Sequence, residues 1–502
     1  MSCNMQRWVN SVRFSACIML LAVAGVGCTG THVNRGTHAG PLYSSLPDFE
    51  GNEGMQLAGP LIERRISADG KEITAVRPFW SHVSDAPRNR SMTDVMWPLG
   101  SFSYRGDQLF WRMFPAFGHD FDTETSPSRH RWSVFPFVFG GRDASDTPYF
   151  AVFPLGGTVH ETLGRDRVWF VLFPLYARSH QGENETTSVL WPIYSRTSGG
   201  ELDRWRVWPL YGYSHHPERW TKRFVMWPFW TSVDYHYPDV DGGGFILFPF
   251  YGQVNLPDRQ SRMLLPPLFK VEWGETDHFA FNAPWPIVQY VDSPDHERFY
   301  FFPLGGRRRR GHDHSWFALW PIISGHRSER PRETLTRFRI LPFWYYEHVR
   351  ARADEAENDE ANEAHSGSLS RYTRVWPLGM YRREEEQSLL RIPALWPLRQ
   401  TPGIERNWAP LWTLYRHERS EDRRLSELLW GLVRWERAPD EHDVRVFPLL
   451  DLQRDEDTRS WRFLRGLVGY ERDDLQKSYQ LLYFLRIRRR IEPDADATNE
   501  DG

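Results

Sequence analysis

The sequence of 502 residues is poor in cysteine and carries almost no net charge. Its three cysteines lie at positions 3, 17 and 28, so a disulfide framework is excluded for the rest of the chain. The 62 basic and 65 acidic residues leave a net charge of −3, which provides no electrostatic footprint for nucleic acid. No Gly-x-Ser-x-Gly, His-Glu-x-x-His or phosphate-loop motif is present, so the sequence predicts neither an enzyme nor a cofactor.

The N-terminus carries a targeting segment. A basic region with Arg7 and Arg13 is followed by an apolar run, Phe14 to Val26, that is too short for a permanent membrane helix. The run ends in Gly25-Val26-Gly27-Cys28, which resembles the lipobox of bacterial lipoproteins. In that family, signal peptidase II cuts before the cysteine, and its thiol carries diacylglycerol. Gly25 departs from the Leu or Val that the family prefers, and an ordinary signal peptide with an incidental cysteine is the alternative.

The resemblance implies a signal peptide over residues 1–27 and lipidation of Cys28. Cys3 and Cys17 would leave with the signal peptide, so Cys28 would be the sole cysteine of the mature chain. Thr29 stands where Asp would resemble an inner-membrane retention signal, and this favours the outer membrane. Residues 28–59 are rich in Gly, Ser, Thr and Pro and are predicted to form a flexible tether.

An aromatic-proline pair recurs along most of the chain. Its 24 Trp, 32 Phe and 36 Pro would form about four such pairs by chance, whereas fifteen are present. Most successive prolines are 17 to 21 residues apart. The prolines of these pairs are at positions 98, 115, 136, 154, 174, 192, 209, 228, 249, 286, 303, 321, 377, 397 and 448.

Each repeat is predicted to contribute one β-strand. The segment from Lys222 to Asp234 is rich in aromatic and β-branched residues, and a mid-segment proline disfavours a helix. The sequence therefore predicts an all-β fold over residues 60–490, a repetitive antiparallel meander of about twenty strands of 10 to 13 residues. The array is expected to close into a barrel-like or flower-like structure with a bulge at each proline. An acidic loop insertion at residues 351–370 and a disordered acidic tail at residues 491–502 complete this prediction.

The repeated aromatic-Pro-Leu/Phe strands behind a lipobox resemble uncharacterised bacterial envelope lipoproteins, including the group described as the β-flower fold. The resemblance spans roughly residues 60 to 490 and implies an architecture. It implies no activity.

Two kinds of side chain are candidates for binding. Arg307, Arg308, Arg309 and Arg310 could bind an anion, and the nearby His312 and His314 could ligate a metal, although a solvated hairpin turn is the favoured interpretation. The repeat tryptophans could stack on sugars, but a core role, one per strand, is favoured for Trp208, Trp227, Trp320 and Trp376.

The leading functional prediction is a non-enzymatic, lipid-anchored protein of the cell envelope that acts as a scaffold or binding module. The predicted partners are the membrane, through the lipid anchor, and an envelope protein or glycan that the sequence does not identify. One alternative is an integral outer-membrane β-barrel with a transport or assembly role; consecutive apolar residues such as those from Val207 to Tyr211 argue against a water-filled lumen. A glycan-binding or glycan-processing lipoprotein is the other alternative.

Overall fold

The computed structural model describes residues 37–45, 54–66, 70–106, 108–123, 126–162, 164–237, 240–275, 277–351, 368–399, 401–456, 458–473 and 475–490. The predicted signal peptide, Cys28 and the acidic tail lie outside the described residues. So does most of the predicted acidic insertion, which joins the neighbouring strands that end at Ala351 and begin at Ser368.

The described chain forms one antiparallel sheet of 46 strands, in which each strand pairs with the next strand along the sequence. The first half comprises β1 His38–Ala39, β2 Tyr43–Ser44, β3 Gly54–Leu57, β4 Ile62–Ile66, β5 Lys71–Val76, β6 Trp80–Asp85, β7 Arg90–Val95, β8 Gly100–Arg105, β9 Gln108–Met113, β10 Ala116–Thr123, β11 Ser126–Val134, β12 Val138–Arg142, β13 Pro148–Val152, β14 Gly156–Thr162, β15 Arg165–Val171, β16 Tyr176–Gln181, β17 Asn184–Val189, β18 Tyr194–Ser198, β19 Asp203–Val207, β20 Tyr211–His216, β21 Trp220–Val225, β22 Trp230–Tyr237 and β23 Val240–Leu247.

The second half of the sheet has the same organisation, interrupted by two short helices after β37. Its strands are β24 Tyr251–Asn255, β25 Arg259–Leu264, β26 Phe269–Gly274, β27 Phe279–Asn282, β28 Val288–Asp292, β29 His296–Phe301, β30 Gly305–Arg310, β31 Asp313–Ala318, β32 Ile323–Glu329, β33 Glu333–Ile340, β34 Trp344–Ala351, β35 Ser368–Val375, β36 Gly379–Glu384, β37 Gln387–Ile392, β38 Tyr415–Arg419, β39 Arg424–Leu428, β40 Val433–Arg437, β41 His442–Val446, β42 Leu450–Arg454, β43 Arg459–Phe463, β44 Val468–Arg472, β45 Gln476–Leu481 and β46 Leu485–Arg490. The helices are α1, Pro402–Asn407, and α2, Ala409–Trp412; single 3-10 turns occupy Ala86–Arg88 and Leu464–Gly466.

The aromatic-proline pairs lie in turns between strands. Odd-numbered strands run into short apolar turns that lead to the next even-numbered strand. Most of these turns contain the proline, as at Trp97-Pro98 and Trp227-Pro228, whereas the turns at residues 429–432, 464–467 and 482–484 contain none. The bond before the proline is cis in both examples and in most of the other turns. Proline suits this place because it has no backbone N–H to donate to a ladder. We call the side of the sheet formed by these turns the Pro-turn edge, and the opposite side, with its polar turns, the polar edge.

This placement confirms the predicted all-β meander and corrects its strand count. The segment from Lys222 to Asp234, expected to be one bulged strand, is a hairpin that lies in β21, a four-residue turn and β22. Because each proline ends one strand and precedes another, the sheet has 46 short strands where about twenty longer ones were predicted.

Backbone hydrogen bonds connect each Pro-turn to the preceding one. In the turn Leu319–Ile322, the Leu319 N–H donates to the carbonyl of Leu304 at 2.8 Å, and the Trp320 N–H donates to that of Pro303 at 2.8 Å. The Ile322 N–H donates to the Leu319 carbonyl at 2.8 Å, and Pro321 has no N–H. Every N–H of this turn is therefore hydrogen-bonded, and the same arrangement recurs in the turns at residues 172–175, 190–193 and 226–229.

The two faces of the sheet differ in burial. One face encloses small residues such as Ala75 and Ser195 together with larger ones such as Tyr345 and Met380, whereas most large apolar side chains of the other face are exposed. Trp316 lies over Gly325 of the neighbouring strand, where a Cβ atom would come within 2.3 Å of the indole Nε1. The small residues let one face curve inward, and the large ones cover the outer face.

The predicted core role of four repeat tryptophans is wrong. Trp208, Trp227, Trp320 and Trp376 lie in Pro-turns, and Trp227 and Trp320 are about half exposed. Their rings contact aromatic rings of adjacent turns: the centroids of Trp208 and Trp227 are 5.9 Å apart. Since the tips of the turns project beyond the sheet, these tryptophans have neighbours along the edge but no layer above them.

The first strands of the sheet contact later strands through side chains. In the described chain, β1 pairs only with β2 and β46 only with β45, so backbone pairing does not close the predicted barrel-like array. The imidazole of His38 in β1 nevertheless makes a 2.9 Å hydrogen bond with the carbonyl of Gly431, between β39 and β40. Three strands, β1 to β3, fall within residues 28–59, so the sheet begins earlier than the predicted tether allowed.

Candidate functional site

Helix α1 joins the first hairpins to later strands. Asn407, which is 0% exposed, donates from Nδ2 to the Asp94 carboxylate at 2.8 Å and accepts from the Ser81 hydroxyl at 2.7 Å. On its other side, the Glu405 carboxylate accepts from Arg374 at 2.9 Å and from Arg391 at 2.8 Å. The helix therefore holds β6 and β7 against β35 and β37.

A buried ion pair lies beside this helix. Arg77 contacts the carboxylate of Glu63 at 2.6 Å, and both side chains are almost fully buried. The same guanidinium donates to the carbonyl of Arg406 at 2.6 Å and to that of Pro60 at 2.9 Å. Burial alone would raise the pKa of Glu63, but Arg77 and Arg65 outweigh it and lower the pKa to about 2.

These groups border a polar cavity of about 310 Å³ between β3–β5, β36–β39 and the helical insertion. Its charged side chains alternate in sign. Arg416 contacts Glu418 at 2.6 Å, and Arg434 contacts Glu427 at 3.0 Å. Burial and the neighbouring Arg416 lower the pKa of Arg391 to about 10, which leaves it protonated at neutral pH. These cations and carboxylates pair with one another and connect the first strands to helix α1 and to β36–β40.

The contact of His38 with Gly431 extends the junction. Burial, reinforced by Arg434 and Arg445, lowers the pKa of His38 to about 4, although the hydrogen bond to the Gly431 carbonyl acts in the opposite direction. The folded protein therefore holds this imidazole neutral.

We expect the His38 contact to weaken in mild acid. Because the pKa of His38 is lower in the folded than in the unfolded state, its contribution is complete above about pH 6.5 and is lost as the pH falls towards 4. Hydrogen exchange at residues 38–44, corrected for intrinsic rates, should report an opening free energy lower by about 2 kcal/mol at pH 5 than at pH 7. His38→Gln should abolish this difference and the exposed control His442→Gln should retain it; an equal response in His38→Gln would contradict the assignment.

A second cavity, of about 460 Å³, lies on the inner face of β19–β24. Arg204, Arg206 and Lys222 line it, and none of its described lining residues is acidic. Burial, with Arg206 and Arg165, lowers the pKa of Arg204. The uniform sign of its charged side chains would suit an anion.

The structure places the predicted anion-binding residues in a strand, where a turn was expected. Arg307 to Arg310 form the end of β30, and the turn follows at Gly311 and His312. The guanidinium of Arg309 contacts Glu297 at 3.2 Å. Alternation along the strand sends Arg307 and Arg309 to the outer face and Arg308 towards the inner one, so the four cations do not form a single cluster.

Arg309 instead begins a continuous row of basic side chains on the outer face. Directly paired residues of adjacent strands form this row, the fifth from the Pro-turn edge in β30–β46, and we call it the basic row. Twelve of its seventeen positions are Arg or Lys, and none is acidic. In order, the members are Arg309, His314, Arg327, Thr336, His348, Arg371, Arg383, Ser388, Arg419, Arg424, Arg437, His442, Arg454, Arg459, Arg472, Lys477 and Arg489.

The rows between the basic row and the Pro-turn edge on this face are mainly apolar and aromatic. The third row of the same strands includes Trp316, Trp435, Trp461 and Tyr479, all exposed. The first row, next to the Pro-turns, holds only Gly, Ala and larger apolar or aromatic residues from Gly305 to Leu485. From the Pro-turn edge upward, the outer face is therefore apolar, then mainly aromatic and aliphatic, then basic.

The basic row works against the stability of the sheet. Several of its members are direct cross-strand partners, among them Arg419 with Arg424 and Arg454 with Arg459. Like charges directly opposite each other destabilise a sheet. Binding of an external anionic partner would explain why the chain has the basic row, although repulsion within that row opposes folding. Sequence reasoning missed this row because its members come together only once the strand register is known.

Among the described residues, no group of three or more His, Cys, Asp or Glu side chains is arranged to hold a metal. No helix in that part of the chain combines the length and apolar character needed to cross a membrane. The chain matches no model of a known protein family and no curated protein.

Proposed function

We infer that this is a non-enzymatic, lipid-anchored protein of the bacterial cell envelope, held at the outer membrane through acyl chains on Cys28. Its sheet would serve as a scaffold or binding module on that membrane. The observation that carries the proposal is where the chain enters the sheet. Ten residues separate Cys28 from His38, and a chain of that length reaches at most about 35 Å.

The first hairpin lies at the Pro-turn edge. Its turn residue Gly40 packs against the ring of Phe447, and Gly59 of the next hairpin packs against Trp430. Both partners belong to Pro-turn-edge turns of the last strands. The chain therefore enters the sheet at the Pro-turn edge, and acyl chains on Cys28 would keep the start of the sheet within about 35 Å of the membrane.

Acylation is tested directly by growing cells with an alkyne fatty acid. We expect the label on the wild-type protein and its complete loss in Cys28→Ser, because the thiol is the acceptor. Cys17→Ser, which alters a cysteine within the predicted signal peptide, should keep the label. An unlabelled wild-type protein that is exported and processed would contradict the proposal. Carbonate-resistant membrane retention of that unlabelled protein would favour the integral outer-membrane alternative.

A further inference from the structure

We propose that the Pro-turn edge of β30–β46 inserts into one leaflet of an anionic lipid bilayer, with the basic row at the level of the lipid headgroups. The inference concerns the membrane location of the proposed function but does not depend on acylation of Cys28. It rests on the order of the rows, the backbone bonding of the turns and the charge of the basic row.

The apolar side chains of this edge face outward without cover. Leu304 is 54% exposed, Leu378 68% and Phe484 83%, and each is in a Pro-turn-edge turn. Outside the helical insertion, the described turns of this edge contain only two charged residues, Arg77 and Arg465. Arg77 is buried against Glu63, and Arg465 lies over the ring of Phe447 at 5.6 Å. An apolar surface of this length marks an interaction site.

The dimensions fit a single leaflet. Four residues separate the first row from the basic row, which corresponds to about 13 Å at the rise of a β-strand. Half of a hydrocarbon core is about 15 Å thick. Apolar turns would reach into the acyl chains, the aromatic row would lie at the interface, and the arginines would meet the headgroups, which is the preferred depth of each residue type.

The backbone of the turns also suits a medium without water. A peptide N–H that enters hydrocarbon must already be hydrogen-bonded. In the turn Leu319–Ile322, three N–H groups have carbonyl partners within the edge, and the fourth residue is proline. Turns with this bonding can therefore leave water without exposing an unpaired donor.

Charge distinguishes a bilayer from a second copy of the chain. Two copies that covered each other's edge symmetrically would bring their basic rows together, and the repulsion already present between cross-strand arginines would increase. Anionic headgroups would instead reduce the repulsion between these arginines, and each Lys or Arg near the surface would gain about 1 kcal/mol of electrostatic attraction. The acidic residues of the polar edge, such as Glu421, Asp440 and Glu441, lie in turns beyond the basic row, on the side away from the Pro-turn edge.

The test uses the processed Cys28→Ser protein, exported through a cleavable signal peptide I sequence and therefore free of acyl chains. We expect it to bind vesicles of phosphatidylethanolamine with phosphatidylglycerol, and to bind pure phosphatidylcholine vesicles at least about 30-fold more weakly. Leu304→Asp with Leu378→Asp should weaken binding at least about 30-fold. The matched control is Leu369→Asp with Leu475→Asp, at exposed positions near the polar edge, which should change binding less than about twofold.

A second pair of variants tests the basic row. Changing Arg437, Arg454 and Arg472 to Glu should weaken binding to the anionic vesicles at least about 100-fold and flatten its salt dependence. Exposed arginines outside the row, Arg90, Arg105 and Arg332, provide the control when changed to Glu. Circular dichroism of each variant separates lost binding from lost folding.

The depth of a probe in the bilayer distinguishes insertion of the Pro-turn edge from adsorption of the protein to the headgroups by charge alone. The processed protein has no other cysteine, so Leu378→Cys and Asp440→Cys each accept one environment-sensitive dye. The dye at residue 378 should shift to the blue and be quenched by brominated acyl chains, whereas the dye at residue 440 should respond to neither. Equal responses at both positions, no vesicle binding, or a stable dimer dissociated by the Leu304 and Leu378 variants would overturn the proposal. Loss of fatty-acid labelling with vesicle binding intact would refute only the lipid anchor.

Discussion

Replacing Arg77 with methionine should lower the free energy of opening the N-terminal hairpins by about 3 to 5 kcal/mol. The substitution leaves the carboxylate of Glu63, which is only 5% exposed, without its 2.6 Å partner. It also removes the donor to the carbonyls of Pro60 and Arg406. Hydrogen exchange at the backbone amides of β3–β5 should become faster by about two to four orders of magnitude.

A matched control separates the buried pair from an exposed one. Arg64 contacts Glu72 at 3.1 Å with its side chain 56% exposed, so Arg64→Met should change the opening free energy by less than about 1 kcal/mol. Adding Glu63→Gln to Arg77→Met should recover part of the loss, because the buried carboxylate, which then has only Arg65 as a cationic partner, is no longer charged. If Arg77→Met and Arg64→Met behave alike, the ion pair does not hold the junction.

Asn407→Ala should release helix α1 from the first hairpins. The side chain is 0% exposed and bonds to Ser81, Asp94 and the carbonyl of Gly403 at 2.7, 2.8 and 3.0 Å. Leaving these buried partners unsatisfied costs about 3 kcal/mol.

Trypsin cleavage after Arg406 provides the measurement. When opening is fast relative to cleavage, the cleavage rate follows the population of the open form and should rise about 100-fold in Asn407→Ala. Asn255→Ala, at an exposed strand end, should leave the rate unchanged. An unchanged rate in Asn407→Ala would mean that other contacts hold the insertion.

The repeat itself was predictable because its chemistry is local. Aromatic-proline pairs at regular spacing disfavoured helices and indicated a meander, and the meander is confirmed, although the short helices α1 and α2 interrupt it. The prediction of one strand per repeat was wrong. Proline has no N–H for a strand ladder, and both a bulge and a tight turn accommodate this; the prediction chose the bulge, whereas the structure has the turn. Removing the turn restores a period of two that was present in the sequence: Arg459, Trp461 and Phe463 alternate before the turn, and Val468, Tyr470 and Arg472 alternate after it.

The junction was not predictable in the same way. Glu63 and Arg77 are close in sequence, but Asn407 reaches Ser81 and Asp94 across more than 300 residues. Helix α1 begins at Pro402 in a segment with no apolar period long enough to indicate a helix. Contacts between residues so far apart in the sequence depend on the curvature of the whole sheet. The pattern of apolar and polar residues along single strands does not predict this curvature.

Each hairpin of the sheet bonds through its backbone only to the hairpin before it and the hairpin after it, while side chains join the first strands to helix α1 and to the turns at Gly431 and Phe447. Duplication or deletion of one unit would therefore preserve all other backbone pairings and change only the circumference that the junction must bridge. The contacts of Glu63, Arg77 and α1 then depend on the number of hairpins between the strands that they join. Related proteins would then differ in circumference by whole repeats, and each change would require new side-chain contacts at this junction.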